Sequence, residues 1–201
     1  MQEGGERNLK DQYHHGNLKQ DLIENAIQII SEYGFEQLSL RGLAQKCGVS
    51  HNAVYRHFDN KEQLIDVCRS YVTHFLTGCL NQSITETGYG GMESIQKLAE
   101  TYICFYQEHP AYYSFLYRNS SMQITLTLQE RDGNYPPFEI FRKACCEIAD
   151  RQGIFEEESL NHLIQLWSVL HGLTALLISP KVEWSSNWRE CLKNFLKEIY
   201  S

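Results

Sequence analysis

Between Ser39 and Phe58 lie two short apolar-periodic stretches, LRGLAQKC and HNAVYRHF, separated only by Gly48, Val49 and Ser50, and each follows a serine. Helices this short are not held by intrinsic propensity, so they depend on capping and on a packed inner face. Ser39 and Ser50 are good N-cap residues, with side-chain oxygens able to take up an orphan backbone N–H. Leu40, Leu43 and Ala44 fall on one face of the first stretch, and Val54 and Phe58 on one face of the second. Gly48 supplies the positive φ that ends the first helix. A short helix, a tight Gly-Val-Ser turn and a second capped helix with a polar outer face form the pattern of a helix-turn-helix, whose second helix enters a DNA major groove. That outer face is His51, Asn52, Ala53, Tyr55 and Arg56. Helical bundles without a nucleic-acid role share the amphipathic pattern, so the spacing alone leaves both readings open.

The flanking sequence is helical as well. Leu22, Ile23, Ala26, Ile27, Ile30 and Tyr33 recur at helical spacing from Asn17 and stop at Gly34, while Asp59-Asn60-Lys61 opens a long helix through Leu64, Ile65, Cys68, Tyr71, Val72, Phe75 and Leu76. Residues 88–91 (GYGG) predict a break, followed by helices over 92–108, from Pro136 to Gly153, over 158–178 and over 184–200. Residues 118–135 stay unassigned, because Ile124, Leu126 and Leu128 alternate like a strand inside helical surroundings. The fold class expected is all-α. Residues 1–16 are expected to form a flexible segment, either an arm with Tyr13, His14 and His15 lying against DNA or a disordered polar tail; residues 17–62 a helix-turn-helix domain; and residues 63–201 a second helical domain.

Charge separates these parts. The chain carries 18 Lys/Arg against 25 Asp/Glu, which argues against a uniformly basic DNA-binding surface. Residues 1–61 hold seven cations against eight carboxylates, and residues 62–201 hold eleven against seventeen, so most of the acidity lies in the second part. Within 41–61, Arg41, Lys46, Arg56 and Lys61 face only Asp59, a local net charge of +3 suited to phosphate contact. Seven cysteines without C-x-x-C or zinc-type spacing predict neither a disulfide framework nor a metal site, and no cofactor is expected. Cys145 and Cys146 adjoin in sequence, too close for an ordinary disulfide. No apolar run is long enough for a membrane span and the N-terminus lacks a signal-peptide core, so the expected location is cytoplasmic.

The stretch YHHGNLKQDLIENAIQIISEYGFEQLSLRGLAQKCGVSHNAVYRHFDNKEQLIDVC resembles the TetR N-terminal domain over nearly the whole of that domain, including the Gly34 break, the Gly-Val-Ser turn and the run from Val54 to Lys61. LWSVLHGLTALL, with Trp167, His171 and Gly172, resembles the C-terminal domain type named for its Trp-His-Gly signature. The resemblance implies a dimeric transcription regulator that binds double-stranded operator DNA, with residues 17–62 as its DNA-binding domain and residues 63–201 as its ligand-binding and dimerisation domain. It implies base or groove contacts from His51 and Asn52, and phosphate contacts from Tyr55, His57 and Lys61. Arg41, Ser50, Ala53 and Arg56 complete the candidate DNA-facing set. One departure is Gly42, where the family usually places Glu or another helix former; the change removes a capping-box partner and about 1 kcal/mol of helix propensity.

The second part holds a dense aromatic set. Most of it is core by helical spacing, yet Tyr, Trp and His need polar partners when buried, and rings with a few polar tips are the usual lining of a small-molecule site. Leaning on the resemblance, Tyr102, Phe105, Tyr106, Tyr113, Tyr117, Phe141, Trp167 and His171 are the candidate effector-binding residues. The last two helices carry more apolar residues than a monomer needs: Leu163, Leu166, Trp167, Leu170, Leu173, Leu176 and Leu177 on one, and Trp184, Trp188, Leu192, Phe195 and Ile199 on the other. Such faces usually pair, which suits a homodimer. The expected function is a ligand-responsive repressor. Two other classes compete with it: an enzyme using His171 as acid or base, which no catalytic motif supports, and an interaction module that has lost DNA binding, against which Tyr55 and Lys61 speak.

Overall fold

The computed structural model describes residues 18–118 and 122–200; the expected N-terminal arm with Tyr13, His14 and His15 lies outside them. Among the described residues the chain is all-α, with nine α-helices and no strand. The chain divides into two compact units, residues up to Cys68 and residues from Arg69.

In the first unit, α1 (Leu18–Tyr33) ends at Gly34, whose φ of 87° only glycine adopts at low cost. A single 3-10 turn, Phe35–Gln37, leads to α2 (Leu40–Lys46), the turn through Gly48 (φ 67°), α3 (His51–Tyr55) and the start of α4 (Lys61–Thr87). Each short helix is capped. Ser39 Oγ accepts from the Gly42 N–H at 3.1 Å, and Ser50 Oγ accepts from the Ala53 N–H at 3.2 Å. At the head of α4, Asn60 Oδ1 accepts from the Gln63 N–H at 2.8 Å while the Gln63 side chain reaches back to the Asp59 N–H. Caps of this kind stabilise by about 1 kcal/mol each, which matters most for helices of one or two turns. Gly42 has a local compensation for its poor propensity: a Cβ there would sit 3.0 Å from Ser39 Oγ, the capping oxygen itself.

The core of this unit is Leu22, Ala26, Ile27 and Ile30 from α1, Leu43 and Ala44 from α2, Val54, Phe58, and Leu64, Ile65 and Cys68 from α4, all buried. Tyr33, grouped with the α1 apolar series by spacing, is instead 66% exposed at the end of its helix. The expected domain boundary at residue 62 and the division after Cys68 differ because the first turns of α4 belong to this core: the Cys68 thiol lies 3.7 Å from the Ile23 carbonyl.

The second unit contains the rest of α4, then α5 (Met92–Glu108), α6 (Pro110–Tyr113) continued by a π-helical turn at Ser114–Arg118, α7 (Pro136–Gln152), α8 (Glu156–Leu177) and α9 (Trp188–Ile199). α8 packs against α5, α7 and α9. This placement revises the reading of the last two helices. Leu163, Leu166, Trp167, Leu170, Leu173, Trp188, Leu192 and Ile199 are buried inside the unit, and of the twelve residues read as a pairing face only Leu176 and Phe195 are exposed. The apolar excess reflects a helix covered on several sides. The last helix also begins later than expected, because Asn187 Oδ1 accepts from the Arg189 N–H and caps it; residues 178–187 are turn and irregular chain.

Residues 122–135 are irregular, and their alternating pattern has a side-chain explanation. The Asn134 amide accepts from the Thr125 N–H and donates to the Thr125 carbonyl, both at 3.0 Å, pairing with residue 125 as a neighbouring strand would. Asn134 also donates to Glu139, which in turn holds Arg142, and Arg142 donates to the Leu128 carbonyl at 3.0 Å. The segment is thereby tied to α7 at both Asn134 and Leu128.

Candidate nucleic-acid interface and buried aromatic network

α3 presents the polar residues that its caps and core leave outward. His51, Asn52, Tyr55, Arg56 and His57 are exposed, as is Arg41 on α2, while Ala53 and Lys61 are half-buried. The rings of His51 and Tyr55 meet edge to face, with centroids 4.6 Å apart, one helical turn from each other. Ser50 is exposed, but its hydroxyl oxygen is engaged as the cap of α3. An open groove of about 960 Å³ runs along this face, lined by Asp21 and Asn25 of α1, Lys46, the Gly48 turn, Ala53 and Arg56. Lys61 is the first residue of a 27-residue helix, where the positive end of the helix dipole disfavours a cation. An anion beside the helix start would offset that repulsion and use the free N–H groups there.

The candidate effector residues converge, with one exception. α5 contributes Tyr102 and Tyr106, the α6 region Tyr113 and Tyr117, α7 Phe141, and α8 Trp167 and His171, each pair spaced i, i+4, and Phe138 of α7, outside the candidate set, joins them. Their rings pack edge to face or tilted, for example Tyr117 against His171 at 4.5 Å and Phe138 against Trp167 at 5.2 Å. Phe105 lies about 100° around α5 from Tyr106; its ring meets Tyr106 at 5.1 Å, but its other ring contacts are with Phe75, His109 and Tyr112, beside a 340 Å³ cavity that also touches Cys79, Cys104 and Arg189. The sequence reading missed Tyr135, the residue before α7, whose position in the unassigned stretch hid it.

A hydrogen-bonded chain runs through the rings. Tyr102 donates to Tyr117 at 3.2 Å, and Tyr117 donates to Tyr135 at 3.2 Å. Tyr102 has then used its only proton, so its 3.3 Å contact with His171 requires the proton on His171 Nε2. His171 Nδ1 is left as an acceptor, and the single Tyr113 proton lies between it, at 3.4 Å, and the His171 carbonyl, at 3.2 Å. Burial lowers the His171 pKa to about 4, so the imidazole is neutral, and burial pushes the hydroxyls of Tyr102, Tyr106 and Tyr117 well above the usual tyrosine range. The network holds no formal charge near neutral pH.

One polar atom in this region is without a partner among the described residues: the buried Thr174 hydroxyl, one turn beyond His171. The Tyr106 hydroxyl, fully buried between Tyr102, Tyr113 and Tyr117, makes no well-aligned bond but lies within reach of the Tyr117 and Tyr135 hydroxyls. A buried unpaired hydroxyl costs about 1–3 kcal/mol, so removing it relieves rather than adds a cost. Thr174→Val is therefore expected to leave stability unchanged or raise it by about 1 kcal/mol, read from the midpoint of urea unfolding. A loss of more than about 1 kcal/mol would mean that the hydroxyl is bonded after all.

Elsewhere, the adjacent cysteines do not make a reactive pair. Burial pushes the Cys145 thiol up to about 12, beside Tyr200 Oη at 3.0 Å, and burial also raises the Cys146 thiol. None of the seven cysteines forms a disulfide, no group of three or more metal-ligating side chains converges among the described residues, and none of their helices is long and apolar enough to cross a membrane.

A capped helix held outward by a glycine turn on a three-helix core, followed by a separate helical unit, defines a helix-turn-helix DNA-binding transcription regulator. The chain belongs to the tetR family of bacterial regulatory proteins: residues 22–68 match the N-terminal model of that family, and residues 95–198 match the tetracyclin repressor-like C-terminal domain. That C-terminal match does not confirm the Trp-His-Gly subtype suggested by Trp167, His171 and Gly172. The chain is 21% identical over 162 residues to an HTH-type transcriptional regulator of Mycobacterium tuberculosis, covering 79% of this chain and 69% of that protein. It is 38% identical over 48 residues to the tetracycline repressor protein class C of Escherichia coli, spanning 24% of this chain but only 22% of that repressor. A TetR-like transcriptional regulator from Rhodococcus sp. RHA1 shares the fold, with a TM-score of 0.65 and 15% identity over 92% of this chain and 94% of that one. The families and relatives matched are regulators of transcription, not enzymes.

Proposed function

We propose that the protein is a ligand-responsive repressor that binds two-fold operator DNA as a homodimer and leaves it when a small molecule occupies the second unit. The observation that carries DNA reading is the outward face of α3, with Lys61 at the wrong end of α4 for its own helix and the right place for a phosphate. In this reading His51 and Asn52 reach base edges, and Tyr55, His57 and Lys61 hold phosphates, with Arg41, Ala53 and Arg56 beside them; Ser50 acts by capping α3. Leu160, Ile164, Ser168, Gly172 and Leu176 repeat every fourth residue along the side of α8 not used by the core, and Phe195 is exposed on α9. This residual stripe supports pairing with a second copy, which two operator half-sites require. The aromatic network supports the effector site, and the coupling is reciprocal: ligand and DNA weaken each other by the same factor.

The experiment is a titration of a fluorescent duplex carrying the protein's own upstream region, against unrelated duplex, over a range of salt. Specific binding is expected, weakened about tenfold or more by Tyr55→Ala or Lys61→Ala. Because a dimer would lose two phosphate contacts, Lys61→Ala is expected to reduce the salt slope by about 2. A folded protein that prefers no duplex over its competitor would overturn the proposal.

A further inference from the structure

His51 and Tyr55 stand at the two ends of α3, and their rings meet edge to face, with centroids 4.6 Å apart and planes at 75°. The helix fixes that meeting. Ser50 caps its start and Val54, fully buried, anchors its end to the core, which keeps residues 51 and 55 one turn apart on one outward face. The Ser50 hydroxyl oxygen is taken by the Ala53 N–H, and residues 52 and 53 point elsewhere around the helix, so it falls to Tyr55 to restrain the imidazole. The other imidazole of this face, His57, lies against the core ring of Phe58 at 6.2 Å. His51 is steadied instead by a ring that is itself 46% exposed.

An exposed imidazole free to turn about both its torsions samples several rotamers, and selecting one on binding costs part of what the contact gains. A ring one turn away makes that selection in the free protein. Edge-to-face pairs favour the paired arrangement by about three- to tenfold over separated rings. Tyrosine suits the task because it too has only two torsions to hold. The ring contact does not use the Tyr55 hydroxyl, which stays available to donate to a phosphate oxygen. The two parts of Tyr55 then act on different quantities: a phosphate contact carries no sequence information, whereas the orientation of a base-reading side chain does.

We propose that Tyr55 is a positioning residue for sequence reading: its ring holds the His51 imidazole in the orientation that meets one base pair of each operator half-site. This inference rests on the reading of α3 as the recognition helix, and it adds a division of labour within one side chain. The Tyr55 ring sets which base is preferred opposite His51, and the Tyr55 hydroxyl sets how tightly any duplex is held.

The test selects preferred sequences from randomised duplexes with the full-length protein, then titrates every single-base variant of the selected duplex. His51→Ala is expected to abolish a preference of about tenfold or more at one position of each half-site, which identifies the base pair that His51 reads. Tyr55→Phe is expected to weaken all duplexes by a similar factor and to keep that preference. Tyr55→Leu is expected to reduce the preference at the His51 position to within about threefold while the other positions keep theirs. Adding Tyr55→Leu to His51→Ala is expected to flatten that position no further, as for two residues acting through one contact. Urea midpoints unchanged from the parent, expected because Tyr55 lies outside the buried core, show that each variant keeps its fold. The inference is overturned if Tyr55→Leu keeps the full preference at the His51 position, if Tyr55→Phe flattens it as much as Tyr55→Leu does, or if His51→Ala flattens no position. Any of these results from a parent protein that selects a defined sequence removes the positioning role and keeps the regulator, whereas a parent that enriches no sequence removes both.

Discussion

Arg142→Ala is expected to destabilise the second unit by about 3 kcal/mol and to expose residues 122–135 to proteases. Arg142 is 9% exposed, and its guanidinium bonds Glu139, itself largely buried, and the Leu128 carbonyl; Glu130, the other carboxylate within reach, is 86% exposed and contributes little. Removing the cation leaves the Glu139 carboxylate with only the Asn134 amide and leaves the Leu128 carbonyl with only the weak Cys146 thiol donor at 3.9 Å. The penalty comes from uncompensated burial, so a double variant that also removes the charge of Glu139, Arg142→Met with Glu139→Gln, is expected to recover more than half of the loss. Urea unfolding and limited proteolysis of the three proteins check both statements. If Arg142→Ala unfolds within about 0.5 kcal/mol of the parent and is cut no faster, the tether is not what orders the segment.

The same residues show why part of this fold was legible in sequence and part was not. The helix-turn-helix is built from local rules: Ser39 and Ser50 cap the helices they precede, and Gly48 turns where a positive φ is needed, so each signal lies within a few residues of its effect. The segment 122–135 is organised from a distance. Asn134 pairs with Thr125 nine residues earlier, and Arg142 reaches back fourteen residues to Leu128, so the alternation of Ile124, Leu126 and Leu128 looked like a strand while its pairing partner was a side chain. Periodicity also cannot tell a face that awaits a partner from one already covered, which is why α8 and α9 read as a larger exposed surface than they have.

The aromatic network divides the same way. Tyr102 with Tyr106, Tyr113 with Tyr117 and Trp167 with His171 could be grouped because i, i+4 spacing puts each pair on one helix face. Phe105 is one step around α5 from Tyr106, so it touches the network through that ring while most of its contacts are with Phe75, His109 and Tyr112; composition carries no such phase. Tyr135 had no helical phase to read, and its role follows only from Tyr117 meeting it across eighteen residues of chain.

Acid is expected to unfold the second unit through His171. Its folded pKa of about 4 lies below the ordinary value of 6.5, so between these values the unfolded chain binds a proton that the folded chain refuses. Stability from this group is therefore full above about pH 6.5 and falls as pH drops toward 4, by about 3 kcal/mol in all. The groups around the imidazole are Tyr102, Tyr113, Tyr117 and Trp167, all neutral there, so no carboxylate stands by to accept the imidazolium. His171→Gln is expected to be the less stable protein at pH 7.5, having lost imidazole bonds, and to close most of that gap by pH 4.5, as measured by urea unfolding of both proteins across the range. A gap that stays constant with pH would show that His171 keeps an ordinary affinity for protons in the fold. At the other end of the scale, Tyr102, Tyr106, Tyr117, Tyr135 and Cys145 are raised by burial, so their contribution holds below about pH 9 and is lost only as alkali deprotonates the unfolded chain. Both limits have one cause: side chains from which water is withdrawn tolerate no ionised form of their own, acid or base.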